Sequence, residues 1–366
     1  MSQRLTADQE SIRDTVRAFL RQSCDFASLR RTIDSDAGWD ADLWHRFAAE
    51  LGFAGVALPE VHGGSSLGAL ELALIAEELG AVLAPIPWFE TAVLAAYVLM
   101  QAGAIAHLAD IAAGRLTATL ALRDAQATPL PDGIGPRIDN GVLHGTAYYV
   151  PFGAIADLFV VAACEIDISL CAVPRATPGV RVEKLVRMDL TRPLAHVHFD
   201  NVEIAALRVG APGQGRAALE KTLAVAAAIL AAEQVGAMRR TLDEVVAYSL
   251  QRVQFGRVVG SFQALKHRMA DMKLKLEAAR SAVGWAAMLL SEDAADASTA
   301  CAAARAYCTD AYLDIASEGI QLHGGIGFTW DHHAHLFFKR ARSSATLLDY
   351  PTVHRERVAF ALLGAA

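Results

Sequence analysis

The chain is poor in several things that would otherwise direct the reading. Cysteine is scarce: five among 366 residues, at Cys24, Cys164, Cys171, Cys301 and Cys308. No two of them form a C-x-x-C pair, and the count is odd in a long chain, so no disulfide framework is expected and a reducing compartment fits. Basic residues do not predominate, since 33 Lys and Arg face 40 Asp and Glu for a net charge of −7. That balance argues against nucleic acid as the main partner, because a phosphate backbone needs a basic face. Long apolar runs are missing too. The longest, Leu223 to Ala232, is fenced by Lys221 and Glu233 and falls far short of the ~20 residues of a membrane span. The first twenty residues carry acids where a signal peptide would be apolar, so a cytoplasmic protein is expected. No internal repeat or low-complexity linker is present.

What is there is a well-mixed globular composition, 54% hydrophobic and 20% charged, with alanine, the best helix former, supplying much of the apolar excess. At roughly 100–200 residues per domain the length predicts two or three packed units. Residues 1–114 read as an N-terminal helical domain. One helix opens after Thr6, another covers Asp42 to Leu51, and a third runs from Leu67 to Leu79, with Gly80 as its C-cap. Between the last two lies the turn-rich loop Leu58 to Gly64.

Residues 115–210 change to short apolar runs between turn signals. Asp157–Val161, Ile168–Ala172 and His196–Val202 read as strands, and Asp139-Asn140-Gly141 as a hairpin turn. This is a small, β-barrel-like middle domain. Residues 211–366 return to helical patterning in three long segments, 216–251, 262–290 and 294–322. The first alone would reach about 54 Å at ~1.5 Å per residue, and helices of that length must bury a face against one another, which implies a C-terminal helical bundle. The fold class expected is therefore mainly α with a central β domain.

Several clusters invite a chemical reading. His196 and His198 share a strand face, but no third metal ligand follows at useful spacing, so they read as strand residues and no metal site is assigned. His332 and His335, in Asp331-His332-His333-Ala334-His335, read as a solvated helix start. Gly210-Ala211-Pro212-Gly213-Gln214-Gly215 lacks a Walker lysine and the Rossmann spacing, and reads as a flexible joint. Two segments carry more. In Arg252-Val253-Gln254-Phe255-Gly256-Arg257 followed by Phe262-Gln263, an arginine fork suited to phosphate closes a long helix beside a flat aromatic. In Gln321-Leu322-His323-Gly324-Gly325-Ile326-Gly327, adjacent glycines at a helix end admit a close-lying ligand or backbone. Each segment taken alone reads more readily as helix punctuation than as a site.

Together, and in this order on this three-part plan, these segments resemble the acyl-CoA dehydrogenase family. Further similar stretches are Leu51-Gly52-Phe53 through Pro59–Gly64, and Met188-Asp189-Leu190 through Val197–Val202. The resemblance implies an α domain, a β domain and a C-terminal four-helix bundle. It also implies FAD as cofactor and α,β-dehydrogenation of acyl-CoA thioesters, with an electron-transfer flavoprotein as acceptor. In this family each FAD lies between subunits: one chain's β domain holds the flavin ring, and the neighbour's bundle holds the diphosphate and adenine. By motif match this chain offers Arg252, Phe255, Gln263, Gln321, Gly324 and Gly325 to the second role.

The sequence departs from the family at the first role. The Thr-Glu-Pro…Gly-Ser-Asp stretch is replaced by Ala121-Leu122-Arg123-Asp124-Ala125, and Trp-Ile-Thr by Tyr149-Val150-Pro151. Proline offers neither a hydroxyl nor a backbone N–H. The two positions that carry the family's base align with Leu348 and with a site near Ala226, neither acidic. Asp349, one residue out of register, is the candidate base in this chain. Glu233 is expected to pack or to pair with Arg239 or Arg240. The combination resembles the degenerate sister chain of bacterial heteromeric acyl-CoA dehydrogenases, which are associated with bulky substrates including steroid side chains. A homologous dehydrogenase chain is then the implied partner. The alternatives are a homo-oligomeric dehydrogenase using Asp349, and a non-catalytic subunit that binds CoA esters or acts as a scaffold.

Overall fold

The computed structural model describes residues 5–364; positions 1–4 of the expected N-terminal domain and 365–366 of the expected bundle lie outside the described residues. Helices α1 (Ala7–Ser23), α2 (Phe26–Ile33), α3 (Ala41–His45), α4 (Ala69–Val82), α5 (Ala96–Gln101) and α6 (Leu108–Ala112) come first. Strands β1 (Ala118–Ala121), β2 (Arg137–Asp139), β3 (Val142–Pro151), β4 (Leu158–Cys164), β5 (Ile168–Pro174), β6 (Val180–Lys184), β7 (Leu194–Glu203) and β8 (Arg208–Val209) follow. Then come α7 (Arg216–Gln251), a hairpin of β9 (Val253–Gln254) and β10 (Arg257–Val258), α8 (Gln263–Ser291), α9 (Ala297–His323), α10 (Ala334–Ser344) and α11 (Pro351–Leu363). Along the chain, helices precede and follow the strands that form the sheet, as the sequence leads one to expect. The three long C-terminal segments are α7, α8 and α9, each within a few residues of its expected bounds.

Two compact units divide the chain. The helical unit comprises the described residues up to Arg31, Ala69–Ala84, and the chain from Ala227 onward; the sheet unit comprises Thr32–Gly68 and Pro85–Ala226.

In the helical unit α9 packs against α8, α10 and α11, and α4 against α1 and α8. Small side chains on α8 and α9, Ala286, Ala300, Cys301 and Ala304, are buried in one cluster together with Leu289. Backbone meets backbone between α4 and α7. Gly80 does not end α4, which continues to Val82. A Cβ on Gly80 would collide with the carbonyl of Glu233, and one on Gly236 with the carbonyl of Glu77. The glycine is there because another backbone crosses it, not because the helix stops. Charges flank the crossing. Glu78 is buried between Arg17, at 2.8 Å, and Arg239, at 3.0 Å, while Glu77 meets Arg239 and Arg280 at 3.3 and 3.1 Å. Glu233 pairs with Arg340 at 3.1 Å. The expected partners are otherwise engaged, Arg239 as above and Arg240 with Glu244 at 2.6 Å. By length and composition α7 could cross a membrane, but its most apolar stretch is 83% buried within the protein, which is the signature of a core helix.

In the sheet unit the strands run in the order β6-β7-β3-β2-β4-β5-β8, with β1 added parallel to β4. Strands β4 and β5 are apolar and buried along all but their last residue, so both faces of the sheet are covered at its centre. The core is built from Leu143, Phe159, Val161, Val173, Val197 and Phe199. Asn140 and Gly141, both at positive φ, form the two-residue turn that pairs Asp139 with Val142. The glycine-rich stretch 210–215 is not a loose joint. Gly213 N–H donates to Ser169 Oγ at 2.8 Å, Gly215 N–H to Ile168 O at 2.7 Å, and Arg216 forks onto Asp167.

Candidate functional site

The end of α7, the start of α8 and the end of α9 lie together at one end of the helical unit, because successive helices run antiparallel. Side-chain contacts tie them: Tyr248 on α7 packs against His323 on α9 with ring centroids 4.9 Å apart, and Arg268 on α8 pairs with Glu318 on α9 at 2.6 Å. All six residues offered by the sequence motifs are at this end, and all are exposed.

Arg252 extends α7 by donating its N–H to Tyr248 O, and its carbonyl accepts from Val259 N–H at 2.8 Å, closing the hairpin. Among the described residues its guanidinium has no hydrogen-bond or ion-pair partner. Arg257, by contrast, lies 4.0 Å over the Phe262 ring. At the hairpin tip Phe255 adopts φ +54° and is 91% exposed. A bulky residue in the left-handed region costs on the order of 1 kcal/mol, and an exposed ring gains nothing from burial, so neither local geometry nor the core of this chain accounts for it. Gln263 begins α8. Gln321 lies one turn before the end of α9, where the N–H of Gly324 caps its carbonyl. Gly324 and Gly325 face open space, whereas a Cβ on Gly327 would strike Ile320 O. One glycine therefore folds the turn back on α9 while the other two leave their backbone accessible.

The histidine cluster that follows is not a solvated helix start. His332 precedes α10 and accepts the N–H of Ala334 at Nδ1, 3.1 Å away. It stacks on His333, which stacks on Phe26. Burial, and then the neighbouring imidazoles His323 and His333, push the pKa of His332 down to about 4, and burial does the same to His335. The sequence signal was visible as an Asp-His-His-x-His string; its partners Phe26 and Glu244 are too distant in sequence to be read.

In the sheet unit, β3 bulges between Ala147 and Val150, with Tyr149 at φ +54°. The Tyr149 N–H donates to His196 Nδ1 at 3.3 Å, and the Phe152 N–H to Pro193 O at 2.7 Å. Pro151 has no N–H, and its carbonyl accepts the Thr119 hydroxyl at 2.8 Å. The stretch 121–125 is equally closed. Gly135 N–H donates to Leu122 O, Tyr148 N–H to Arg123 O, and Asp124 N–H to Gly133 O. His198 lies on β7 between Thr146 Oγ1, at 2.9 Å, and Glu183, at 3.2 Å, the surroundings of a strand side chain.

Of the two positions for a base, Ala226 is a buried methyl. Leu348 and Asp349 both sit at positive φ in a loop whose carbonyls are held by buried groups, Leu347 O by Arg305 at 3.0 Å and Leu348 O by His354 Nε2 at 3.0 Å. The Asp349 carboxyl is 2% exposed and paired with Arg357. The carboxylate is turned to that guanidinium and closed off from solvent, so it is not presented to a substrate.

Two family models match this chain, "Acyl-CoA dehydrogenase, N-terminal domain" over residues 6–108 and "Acyl-CoA dehydrogenase, C-terminal domain" over 213–362. The chain belongs to the acyl-CoA dehydrogenase family. It is therefore a member of a family of oxidoreductases that are generally FAD-dependent. It is 37% identical to acyl-CoA dehydrogenase IpdE2 of Mycobacterium tuberculosis, over 94% of each chain. To the protein of the same name from Mycolicibacterium smegmatis it is 34% identical, over 97% of this chain and 98% of the relative. Among solved structures it is similar to the steroid ACAD Tcur3481–Tcur3483, with TM-score 0.87 and 29% identity over 97% and 98% of the two chains. It is also similar to the ChsE4–ChsE5 complex of Mycobacterium tuberculosis, with TM-score 0.89 and 26% identity over the whole of both chains.

The two halves of the family's cofactor site can be compared with FAD separately. The helical end fits the diphosphate and adenine: an exposed arginine without a partner, an outward aromatic face and two glycines over open space. The sheet strand fits the flavin ring poorly, since its backbone donors at Tyr149 and Phe152 are engaged by this chain's own acceptors and Pro151 has none.

Proposed function

We infer that this chain is the cofactor-completing subunit of a heteromeric acyl-CoA dehydrogenase. The observation that carries this reading is the contrast between Arg252, exposed and unpartnered at the helical end, and Pro151, with neither hydroxyl nor N–H on the strand that bears the flavin in the family. The roles are divided accordingly. Arg252 presents its fork to the diphosphate of FAD held chiefly by a homologous partner chain. Phe255 offers a face to the adenine side, Gln263 and Gln321 supply amide hydrogen bonds, and Gly324–Gly325 admit close approach. When bound, FAD supplies the hydride acceptor for oxidation of the acyl-CoA thioester. The carboxylate that removes the α proton comes from the partner, because Asp349 is engaged with Arg357 and Ala226 carries no acid. The relatives described as a steroid ACAD and as a two-protein complex support a bulky acyl-CoA substrate and a heteromeric assembly. An electron-transfer flavoprotein is the acceptor in this reading and the cytoplasm its setting.

The test is to co-express the chain with a homologous dehydrogenase chain and to measure FAD per polypeptide from the visible absorbance of the purified complex. A colourless chain alone, and a complex with fewer FAD than chains, is the expected outcome. A homo-oligomer holding one FAD per chain would refute the assignment.

A further inference from the structure

A column of rings in the helical unit ends at the residues assigned above to the cofactor. It begins at Glu244 on α7, whose two oxygens are both occupied: Oε1 accepts from Arg240 Nε at 2.6 Å, and Oε2 from His333 Nε2 at 2.6 Å. Both partners lie against Phe26, the guanidinium 5.1 Å from the ring centroid and the imidazole stacked at 3.7 Å and 8°. His332 stacks on His333 at 4.6 Å and 19°, His323 lies 4.3 Å from His332, and Tyr248 lies 4.9 Å from His323. Backbone groups orient the inner rings. His323 Nδ1–H donates to Gly319 O at 2.6 Å, and His332 Nδ1 accepts from Ala334 N–H at 3.1 Å, which leaves the proton of neutral His332 on Nε2. The far end of the column meets the proposed site twice. The Tyr248 carbonyl accepts the N–H of Arg252, and His323 is followed directly by Gly324.

A packed core could hold α7 and α9 together with apolar side chains at lower desolvation cost. Here hydrogen bonds instead fix individual rings, His333 by Glu244, His332 by the Ala334 N–H and His323 by the Gly319 carbonyl, and ring contacts join one to the next. The rings are also flat and rigid, and although His323 meets His332 at 46° and Tyr248 at 48° rather than face to face, each ring limits the positions open to the next.

We propose that Glu244 and His333 are positioning residues: through the column of His332, His323 and Tyr248 they hold Arg252 and the Gly324–Gly325 turn in register for the diphosphate of FAD. This rests on the cofactor-completing role assigned above. Neither residue touches the cofactor.

The experiment measures the FAD dissociation constant of the co-purified complex, by recovery of the bound-flavin absorbance after the cofactor is stripped and titrated back. The variants are Glu244→Ala, Glu244→Gln, His333→Ala and the double alanine variant, with Arg252→Ala as the direct-contact control. Glu244→Ala and His333→Ala are expected to weaken FAD by roughly tenfold, the scale of a lost supporting shell. Glu244→Gln should recover most of that, because an amide oxygen still accepts from His333. The double variant should be no weaker than either single one, because both changes break the same device. At saturating FAD the KM for acyl-CoA should not move. Should Glu244→Ala fail to assemble, His333→Gln is measured by the same criterion. If the positioning variants bind FAD as tightly as the unmodified complex while Arg252→Ala binds it weakly, the positioning role is wrong and the cofactor-completing role stands. If Arg252→Ala also binds FAD unchanged, the cofactor-completing role fails first.

Discussion

Gly236→Ala separates two physical arguments by sign. On helix propensity alone the change should stabilise, because alanine in a helix interior is favoured over glycine by about 1 kcal/mol. The crossing of α4 and α7 predicts the opposite. The new methyl would overlap the Glu77 carbonyl oxygen, and backbone cannot rotate out of the way as a side chain can. The helices must then separate, at a cost of about 1–3 kcal/mol for overpacking. Separation also stretches the pairs that flank the crossing, Arg239 to Glu77 and Glu78 at 3.3 and 3.0 Å and Arg340 to Glu233 at 3.1 Å. Glu78 and Arg340 are buried, and disrupting buried pairs is expensive, about 3–5 kcal/mol when one partner is lost outright. Partial stretching, less the propensity gain, leaves a net destabilisation of about 2–4 kcal/mol. Gly284→Ala is the control. Gly284 lies in the interior of α8 and its added Cβ meets nothing within 4 Å, so the propensity term alone remains and stability should rise by up to about 1 kcal/mol. Urea unfolding followed by circular dichroism reads both. If Gly236→Ala proves neutral or stabilising, the close crossing is not present in solution.

Asp349→Asn should leave the turnover of the assembled enzyme unchanged while lowering the melting temperature, since the Arg357 pair is structural here; loss of turnover with the fold intact would restore Asp349 as a base. Stability should fall as the pH drops from about 6.5 towards 4, because burial holds His354 and His332 near 4 when folded against 6.5 unfolded, so the unfolded chain binds the extra protons in that window. His354→Gln, measured by thermal melts across the same range, should flatten the dependence, and an unchanged slope would remove His354 from the account. Phe255→Asn should stabilise the isolated chain by up to about 1 kcal/mol, since Asn-Gly suits a two-residue hairpin tip at positive φ, yet weaken FAD binding by the complex; equal signs in the two assays would contradict a functional role for the exposed ring.

The fold was legible where a pattern is local. The lengths of α7, α8 and α9 follow from uninterrupted helical sequence, and β4 and β5 from apolar runs bounded by turn residues. Gly80 was misleading because a glycine carries two meanings that sequence does not distinguish, a helix stop and a close approach. Only the crossing backbone at Glu233 decides between them. The partner of Glu233 escapes the sequence for a similar reason. Arg239 and Arg240 are near in sequence but project elsewhere on the α7 surface, and the arginine that reaches Glu233 comes from α10, about a hundred positions away. Gly213 and Gly215 look like a joint until Ser169 and Ile168, back on β5, are found bonding them.

The site divides along the same line. Arg252, Phe255, Gly324 and Gly325 could be picked out because they sit at helix ends, where few side chains from elsewhere compete for them and exposure preserves what the residue type suggests. The closure of the sheet side could be read only in part. Pro151 announces its missing N–H in the sequence, but the engagement of Tyr149 by His196, of Phe152 by Pro193 and of the 121–125 stretch by Gly133, Gly135 and Tyr148 is a matter of which acceptors the sheet brings near. Those bonds turn one unfavourable residue into a run of backbone donors turned to this chain rather than to a flavin. Relaxing Pro151 by itself would therefore not rebuild a flavin-binding strand, because the neighbouring donors would remain tied to partners within this chain. The asymmetry between the open helical end and the closed strand is thus a property of the whole hydrogen-bond network rather than of a single substitution.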